Sequence, residues 1–261
     1  MRWLVVRGGA LGDFVLTLPA LEAVRRAASH VTLVASPRYA AMRPDLADEV
    51  IDLRGTEALW LFGAGRAPEP LPDAALVYTP GVDEALRALG VPEIRRSTPR
   101  PPPGVHAAAH LHAPVADLGP LIAPRLPPGP GVWTGTDRPV VLAPGAASPL
   151  KVWPHFDALA ELLEAAGVPH VWAPGTDEAA PPMRGPVLAG LGLAELRGLA
   201  AGCRAWVGND TGTSHVAAAV GARTLTLFGP TDPACWAAVG AEVLPLDSSP
   251  KTVFERLFIT S

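Results

Sequence analysis

The feature that most limits the fold of this chain is a repeat: a short apolar run, a glycine-bearing turn and a helical stretch, recurring from residue 3 to past residue 220. Apolar runs without alternation need cover on both faces, and a helix after each strand supplies it, so the pattern predicts parallel βαβ units of the α/β class. Residues 3–6, 31–35 and 75–78 read as strands, and 13–27 as a helix bent at Pro19. Prolines then crowd in, with Pro101, Pro102, Pro103, Pro120, Pro124, Pro127, Pro128 and Pro130 interrupted only by a helix-capable patch at 106–118. The pattern restarts after them. Strands are expected at 140–143, 170–172, 205–207 and 224–227, with helices at 155–166, 193–201 and 214–220. With 261 residues the chain suits two domains. We therefore expect a Rossmann-like half at 1–125, a Pro-rich linker at 126–138 and a second Rossmann-like half at 139–261, whose last helix can pack back on the first. Such sheets bind ligands beyond the carboxyl ends of their strands, which makes a cleft between the halves the expected site.

Composition removes several function classes. Apolar residues make up 49% and charged residues 18%, with a mean hydropathy of +0.25, which describes a chain with buried sheets and not a disordered one. A net charge of -4, a pI near 6.0 and the lack of a Lys/Arg cluster argue against a nucleic-acid partner. Cys203 and Cys235 stand far apart without a CxxC, so neither a disulfide framework nor a structural zinc site is expected. No uncharged, Pro-free apolar run reaches 18 residues and the first residues do not form a signal peptide, so the expected compartment is the cytoplasm. Nineteen Arg face two Lys, Asn209 is the only Asn, and Gln is absent. Against that bias Lys151, Lys251 and Asn209 stand out.

Three turns can carry chemistry. The first reads Arg7-Gly8-Gly9-Ala10-Leu11-Gly12-Asp13, where glycines permit close backbone approach and helix-start N–H groups favour an anion. It is not a dinucleotide fingerprint, because the spacing is not GxGxxG and no acid ends the second strand. Asp13 is either a helix cap or a functional carboxylate. The second turn, residues 143–154, joins a small-residue loop containing Gly145 and Ser148 to Lys151, which is either solvated surface or a diphosphate ligand. Downstream, Glu178 is either a loop acid or a ribose ligand. The third turn, residues 207–215, packs a strand end, Gly208, Asn209, Asp210, Thr211, Gly212, Thr213, Ser214 and His215 into nine positions, an anion site with hydroxyl donors and one His. An aspartic-protease reading of Asp-Thr-Gly fails, because that chemistry needs two such carboxylates on a β fold.

Four motifs in order, residues 7–21 (RGGALGDFVLTLPAL), 151–154 (KVWP), 209–215 (NDTGTSH) and 228–233 (FGPTDP), resemble the series of the glycosyltransferase family that contains the lipopolysaccharide heptosyltransferases. The patch at 106–119 is also similar to that family's helix before the linker, making His106, His110 and His112 a helical surface and not a metal site. The resemblance implies a GT-B fold, two Rossmann-like parallel-sheet domains facing across a cleft. It implies Asp13 as general base, with Gly9 and Gly12 in the acceptor-side loop. Lys151 and the helix start at Thr211 and Gly212 would hold the donor diphosphate, Gly145 and Ser148 would line its loop, Glu178 would hold the ribose, and Asp210 and His215 would belong to the donor site. Ala147 stands where the family usually has a hydroxyl residue, which passes that contact to Ser148 or backbone N–H groups. The first half is short for the family.

The reading expected from these residues is a metal-independent, inverting glycosyltransferase without a cofactor. It would use a nucleotide-sugar, ADP-linked and carrying a sugar such as a heptose, and a hydroxyl of a cell-envelope glycan or glycolipid precursor. Peripheral contact with the inner membrane surface would follow from such an acceptor. No DxD-type acid pair is present for a metal, so Lys151 and a helix N-terminus are expected to neutralise the leaving diphosphate. An NAD(P) oxidoreductase is the rival that lacks its fingerprint; a non-catalytic glycan- or nucleotide-binding relative is the other.

Overall fold

The computed structural model describes residues 1–175 and 184–259. It divides into two compact units, Met1–Pro124 and Arg125–Ser261, each holding one five-stranded parallel sheet.

In the first unit the order along the chain is β1 (Arg2–Val6), α1 (Leu11–Ala27), β2 (His30–Ala35), α2 (Pro37–Ala40), β3 (Glu49–Asp52), β4 (Ala74–Val77), α3 (Val82–Ala88), β5 (Glu93–Arg96) and α4 (Ala107–His112), and the sheet runs β3-β2-β1-β4-β5. The central strand β1 buries Trp3 to Val6 on both faces, as its unbroken apolar run requires. Helix α1 buries ten residues, with Pro19 inside it among them. It begins at Leu11, two residues before the expected start, because the Asp13 carboxylate reaches back to the Ala10 N–H and closes the first turn around itself. Gly12 therefore lies in the helix and not in the acceptor-side loop.

The second unit contains β6 (Val140–Ala143), α5 (Phe156–Ala165), β7 (His170–Trp172), α6 (Leu193–Gly202), β8 (Ala205–Asn209), α7 (Gly212–Ala219), β9 (Thr224–Phe228), α8 (Pro233–Trp236), β10 (Glu242–Pro245) and α9 (Pro250–Arg256), with strand order β10-β9-β8-β6-β7. Its core gathers Trp153, Phe156, Leu159, Trp172, Val207 and Val253. Part of the Pro-rich segment packs here: Leu126 is buried and its N–H bonds the Ala219 carbonyl at the end of α7, while Arg197 of α6 donates to Pro127 O. Helix α9 lies on α5, inside the same core.

Sheet order decides where a ligand can sit. From β6 the chain goes to β7 on one side and β8 on the other, so the crevice of the second unit opens between the loops after β6 and β8. From β1 it goes to β2 on one side and, after the edge strand β3, to β4 on the other, which places the crevice of the first unit between the loops after β1 and β4. Among the described residues, no helix is long and apolar enough to cross a membrane. Both cysteines are buried and unpaired by disulfide, and burial pushes the Cys203 thiol up to about 12, which keeps it protonated and unreactive.

Candidate functional site

The second unit brings three loop ends together. After β6 the chain runs through Gly145 to a single 3-10 turn, Pro149–Lys151, capped by the Ser148 hydroxyl, which accepts the Leu150 N–H at 3.3 Å. The turn aims Lys151 at the end of β8, where its ammonium donates to Asp210 Oδ2 at 2.6 Å. Thr231, in the loop after β9, donates its hydroxyl to the same oxygen at 2.6 Å. The Asp210 side chain is 8% exposed and that of Lys151 23%, so this is a half-sheltered ion pair at the carboxyl end of the sheet. The solvated-surface reading of Lys151 does not survive.

Asn209 builds the loop around that pair. Fully buried, it accepts the Trp153 N–H at 2.9 Å and donates to Pro144 O at 2.7 Å and Gly145 O at 3.2 Å, so one side chain ties both ends of the loop that carries Lys151 to β8. Its backbone carbonyl accepts the Ser214 hydroxyl at 2.8 Å. Gly208 is required here, because a Cβ would stand 2.7 Å from Ser214 Oγ and 2.9 Å from Trp206 Nε1. We expect Asn209→Asp to cost roughly 3 kcal/mol, since a carboxylate keeps the Trp153 bond but faces two carbonyls it cannot bond. At this chain length that lowers Tm by roughly 6 to 12 °C in a melt. A variant melting within about a degree of wild type would show that the clamp is dispensable.

Helix α7 starts at Gly212, two residues before the expected start; Thr211 holds the N-cap position without a side-chain cap bond, its hydroxyl lying 2.9 Å from that of Thr213. First-turn N–H groups of a helix have no intrahelical acceptor, so this end is electropositive next to the Lys151–Asp210 pair. His215 is buried one turn in. Glu178, the expected ribose ligand, lies outside the described residues.

In the first unit Asp13 is the cap that the sequence allowed, and it also faces a buried cation. Oδ2 accepts the Ala10 N–H at 2.9 Å as the helix cap, while Oδ1 lies 3.5 Å from Arg7 Nη2. Gly9 has φ +111°, and a Cβ there would fall 2.7 Å from Asp13 Oδ2, so glycine is needed for conformation and space alike. Arg7 is buried beneath this turn. It donates to Thr17 Oγ1 at 2.8 Å and lies 5.3 Å from the centre of the Tyr78 ring; burial holds its pKa below the ordinary guanidinium value, with Asp13 opposing that shift.

Beside the turn is a cavity of about 350 Å³ at the ends of β4 and β5, lined among others by Tyr78, Thr79, Asp83, Arg96, Thr98 and His110. Thr79 adjoins Gly8, which connects the cavity to the Asp13 turn. Asp83 accepts from Arg87 and Arg96 at 3.0 Å each, and the Arg96 bond leads in holding its carboxyl below the usual range. The three histidines expected on a helical surface are not alike. His112 is buried and its pKa pushed down by burial, His106 caps α4 through Nδ1, and His110 Nε2 lies 3.0 Å from the Ser97 hydroxyl and from both the hydroxyl and the carbonyl of Thr98. Among the described residues no group of three or more His, Cys, Asp or Glu is placed to hold a metal.

Sequence reasoning did not assign Asn209, Thr231 or Arg7 a role. All three sit inside quoted motifs, and Asn209 was marked only by being the single asparagine.

Residues 132–251 match glycosyltransferase family 9 (heptosyltransferase). A 62-residue stretch is 47% identical to lipopolysaccharide heptosyltransferase 1 of Pseudomonas aeruginosa, covering 24% of this chain and 18% of that protein, so the match spans under a fifth of the curated relative. The E. coli ADP-heptose lipopolysaccharide heptosyltransferase II structure superposes with a TM-score of 0.74 at 20% identity, covering 98% of this chain and 97% of that one. E. coli heptosyltransferase WaaC with ADP gives 0.71 at 19%, covering 98% and 99%. A family 9 glycosyltransferase from Veillonella parvula gives 0.72 at 21%, covering 98% and 90%. Over residues 132–251 the chain is similar to glycosyltransferase family 9 (heptosyltransferase), and its described length folds as the two Rossmann-like units of the GT-B class.

Proposed function

We propose that the protein is an inverting glycosyltransferase that moves a sugar, a heptose or a close relative, from an ADP-linked donor to a hydroxyl of a cell-envelope glycan or glycolipid precursor. The observation that carries this is the Lys151–Asp210 pair beside the N-terminus of α7, at the switch point of a unit similar to family 9. A solved relative, E. coli WaaC, is described with ADP and with ADP-2-deoxy-2-fluoro heptose.

In this reading the second unit takes the donor. The diphosphate draws on the Lys151 ammonium and the N–H groups of Gly212 and Thr213, with Ser148 and the backbone near Gly145 at the loop, Glu178 toward the ribose, and His215 behind the helix start. The first unit supplies the proton acceptor. As an acceptor hydroxyl attacks the anomeric carbon from the face opposite the diphosphate, its proton passes to Asp13, the sugar–phosphate bond breaks, and the nucleoside diphosphate leaves as an anion. Charge grows on the diphosphate in the transition state, where a fixed ammonium and helix dipole stabilise it without a metal. The cavity at Tyr78 to His110 is the place for the acceptor ring next to Asp13. Action at the cytoplasmic face of the inner membrane follows from such an acceptor.

A thermal-shift screen of nucleoside diphosphates, nucleotide sugars and NAD tests the donor class. A ligand at 100 times its dissociation constant stabilises by about 2.7 kcal/mol, which at this chain length raises Tm by roughly 5 to 10 °C. ADP and ADP-sugars are expected to do so and NAD is not. If no nucleoside diphosphate moves Tm, the reading falls; if donor is bound but neither hydrolysed nor transferred with cell-envelope extract, the protein is a binding relative and not an enzyme.

A further inference from the structure

We propose that Thr231 is a positioning residue for Lys151, acting through Asp210, and that its hydroxyl keeps the ammonium aimed at the donor diphosphate. This rests on the function proposed above for the same site. Lysine is a compact charge on a flexible stem, and a 3-10 turn of three residues does not fix where its tip lies. What fixes the tip is Asp210 Oδ2, which receives the ammonium and the Thr231 hydroxyl at 2.6 Å each. A carboxylate bonded only to a mobile lysine would turn with it. Thr231 comes from a different strand end and belongs to a loop held on both sides: Asp232 caps α8 by accepting the Ala234 N–H at 2.9 Å, and the Leu246 N–H reaches Phe228 O at 2.7 Å. The other hydroxyls nearby are engaged elsewhere, Thr211 with Thr213 and Ser214 with the Asn209 carbonyl. The relay thus runs from the loop after β9, through the end of β8, to the loop after β6. Donor binding must draw the ammonium from Asp210 or share it, so Thr231 also sets how readily the pair yields.

The two-lysine composition makes this measurable without knowing the acceptor. Competitive acetylation with acetic anhydride, followed by peptide mass spectrometry, reads Lys151 against Lys251, whose side chain is 81% exposed and serves as internal control. In wild type Lys151 is expected to react several-fold more slowly than Lys251. Losing one charge-assisted hydrogen bond corresponds to about a tenfold change, so Thr231→Val is expected to raise the Lys151 to Lys251 ratio by about 3- to 10-fold and to weaken ADP binding by a similar factor in calorimetry. Thr231→Ser keeps the donor and is expected to stay within about twofold of wild type on both measures. Should the valine variant fold poorly, Thr231→Ala removes the hydroxyl without adding bulk and repeats the test. An unchanged ratio in the valine and alanine variants overturns the proposal, as does an equal rise in the serine variant, which would mean that packing and not the hydroxyl matters. Failure of ADP to protect Lys151 in wild type overturns the nucleotide reading alone, because the variant ratios are taken without ligand.

Discussion

Asp13→Asn is expected to transfer sugar about 10²- to 10⁴-fold more slowly than wild type, the usual contribution of general-base assistance, with donor affinity unchanged. The amide oxygen can still accept the Ala10 N–H, so the helix start survives. The substitution is not free, however. Arg7 is buried and faces Asp13 Oδ1 at 3.5 Å, and an amide leaves that guanidinium with the Thr17 hydroxyl and the Asp13 backbone carbonyl as its remaining acceptors. Asp13 is partly exposed, which reduces the loss by solvent screening, and a cost of about 1 to 2 kcal/mol is expected, or a Tm lower by a few degrees. Turnover must therefore be compared well below both melting transitions. A variant with the lowered Tm and near wild-type turnover would reduce Asp13 to a cap and a partner for Arg7.

Asp13 illustrates what could be seen in the sequence and what could not. A carboxylate three residues after a glycine turn is legible as a cap; that its other oxygen meets a buried arginine depends on Arg7 folding under the turn instead of pointing to solvent. The central strands were legible for the same reason that they are central: β4 and β6 are apolar throughout, β1 and β8 carry the apolar runs Trp3–Val6 and Ala205–Val207, and β9 is buried along its whole length. Of the edge strands β7 was legible, while β3, β5 and β10 were not. Their sequences EVID, EIRR and EVLP carry charge at positions that face water, so no apolar run announces them. Motif order placed Lys151, Asp210 and Thr211 in one unit, but nothing local says that residues 151 and 210 touch. Their contact is created by β6 and β8 lying side by side, and Thr231 joins them only because β9 is next in the sheet. Of the three histidines only His112 departs from the expected surface, because the short helix turns it inward, which spacing does not reveal.

Lys151→Ala is expected to weaken donor binding about 10- to 100-fold and to slow transfer further, since the same ammonium meets a diphosphate that gains charge as the sugar departs. The structure adds a second cost. With Lys151 gone, Asp210 keeps the Thr231 hydroxyl but loses its cation, and an 8%-exposed carboxylate then faces the incoming diphosphate. Like charges at that range repel, so the alanine variant loses an attraction and acquires a repulsion. A double-mutant cycle separates the two. If both operate, Lys151→Ala combined with Asp210→Asn binds ADP more tightly than Lys151→Ala alone, although more weakly than wild type. Lys151→Arg is expected to recover only part of the loss, because a planar fork reaches Asp210 but does not reproduce a compact charge shared between carboxylate and phosphate. ADP affinity equal to wild type in the alanine variant, measured by calorimetry on a folded sample, would leave the Lys151–Asp210 pair a structural link between β6 and β8 and remove the diphosphate from it.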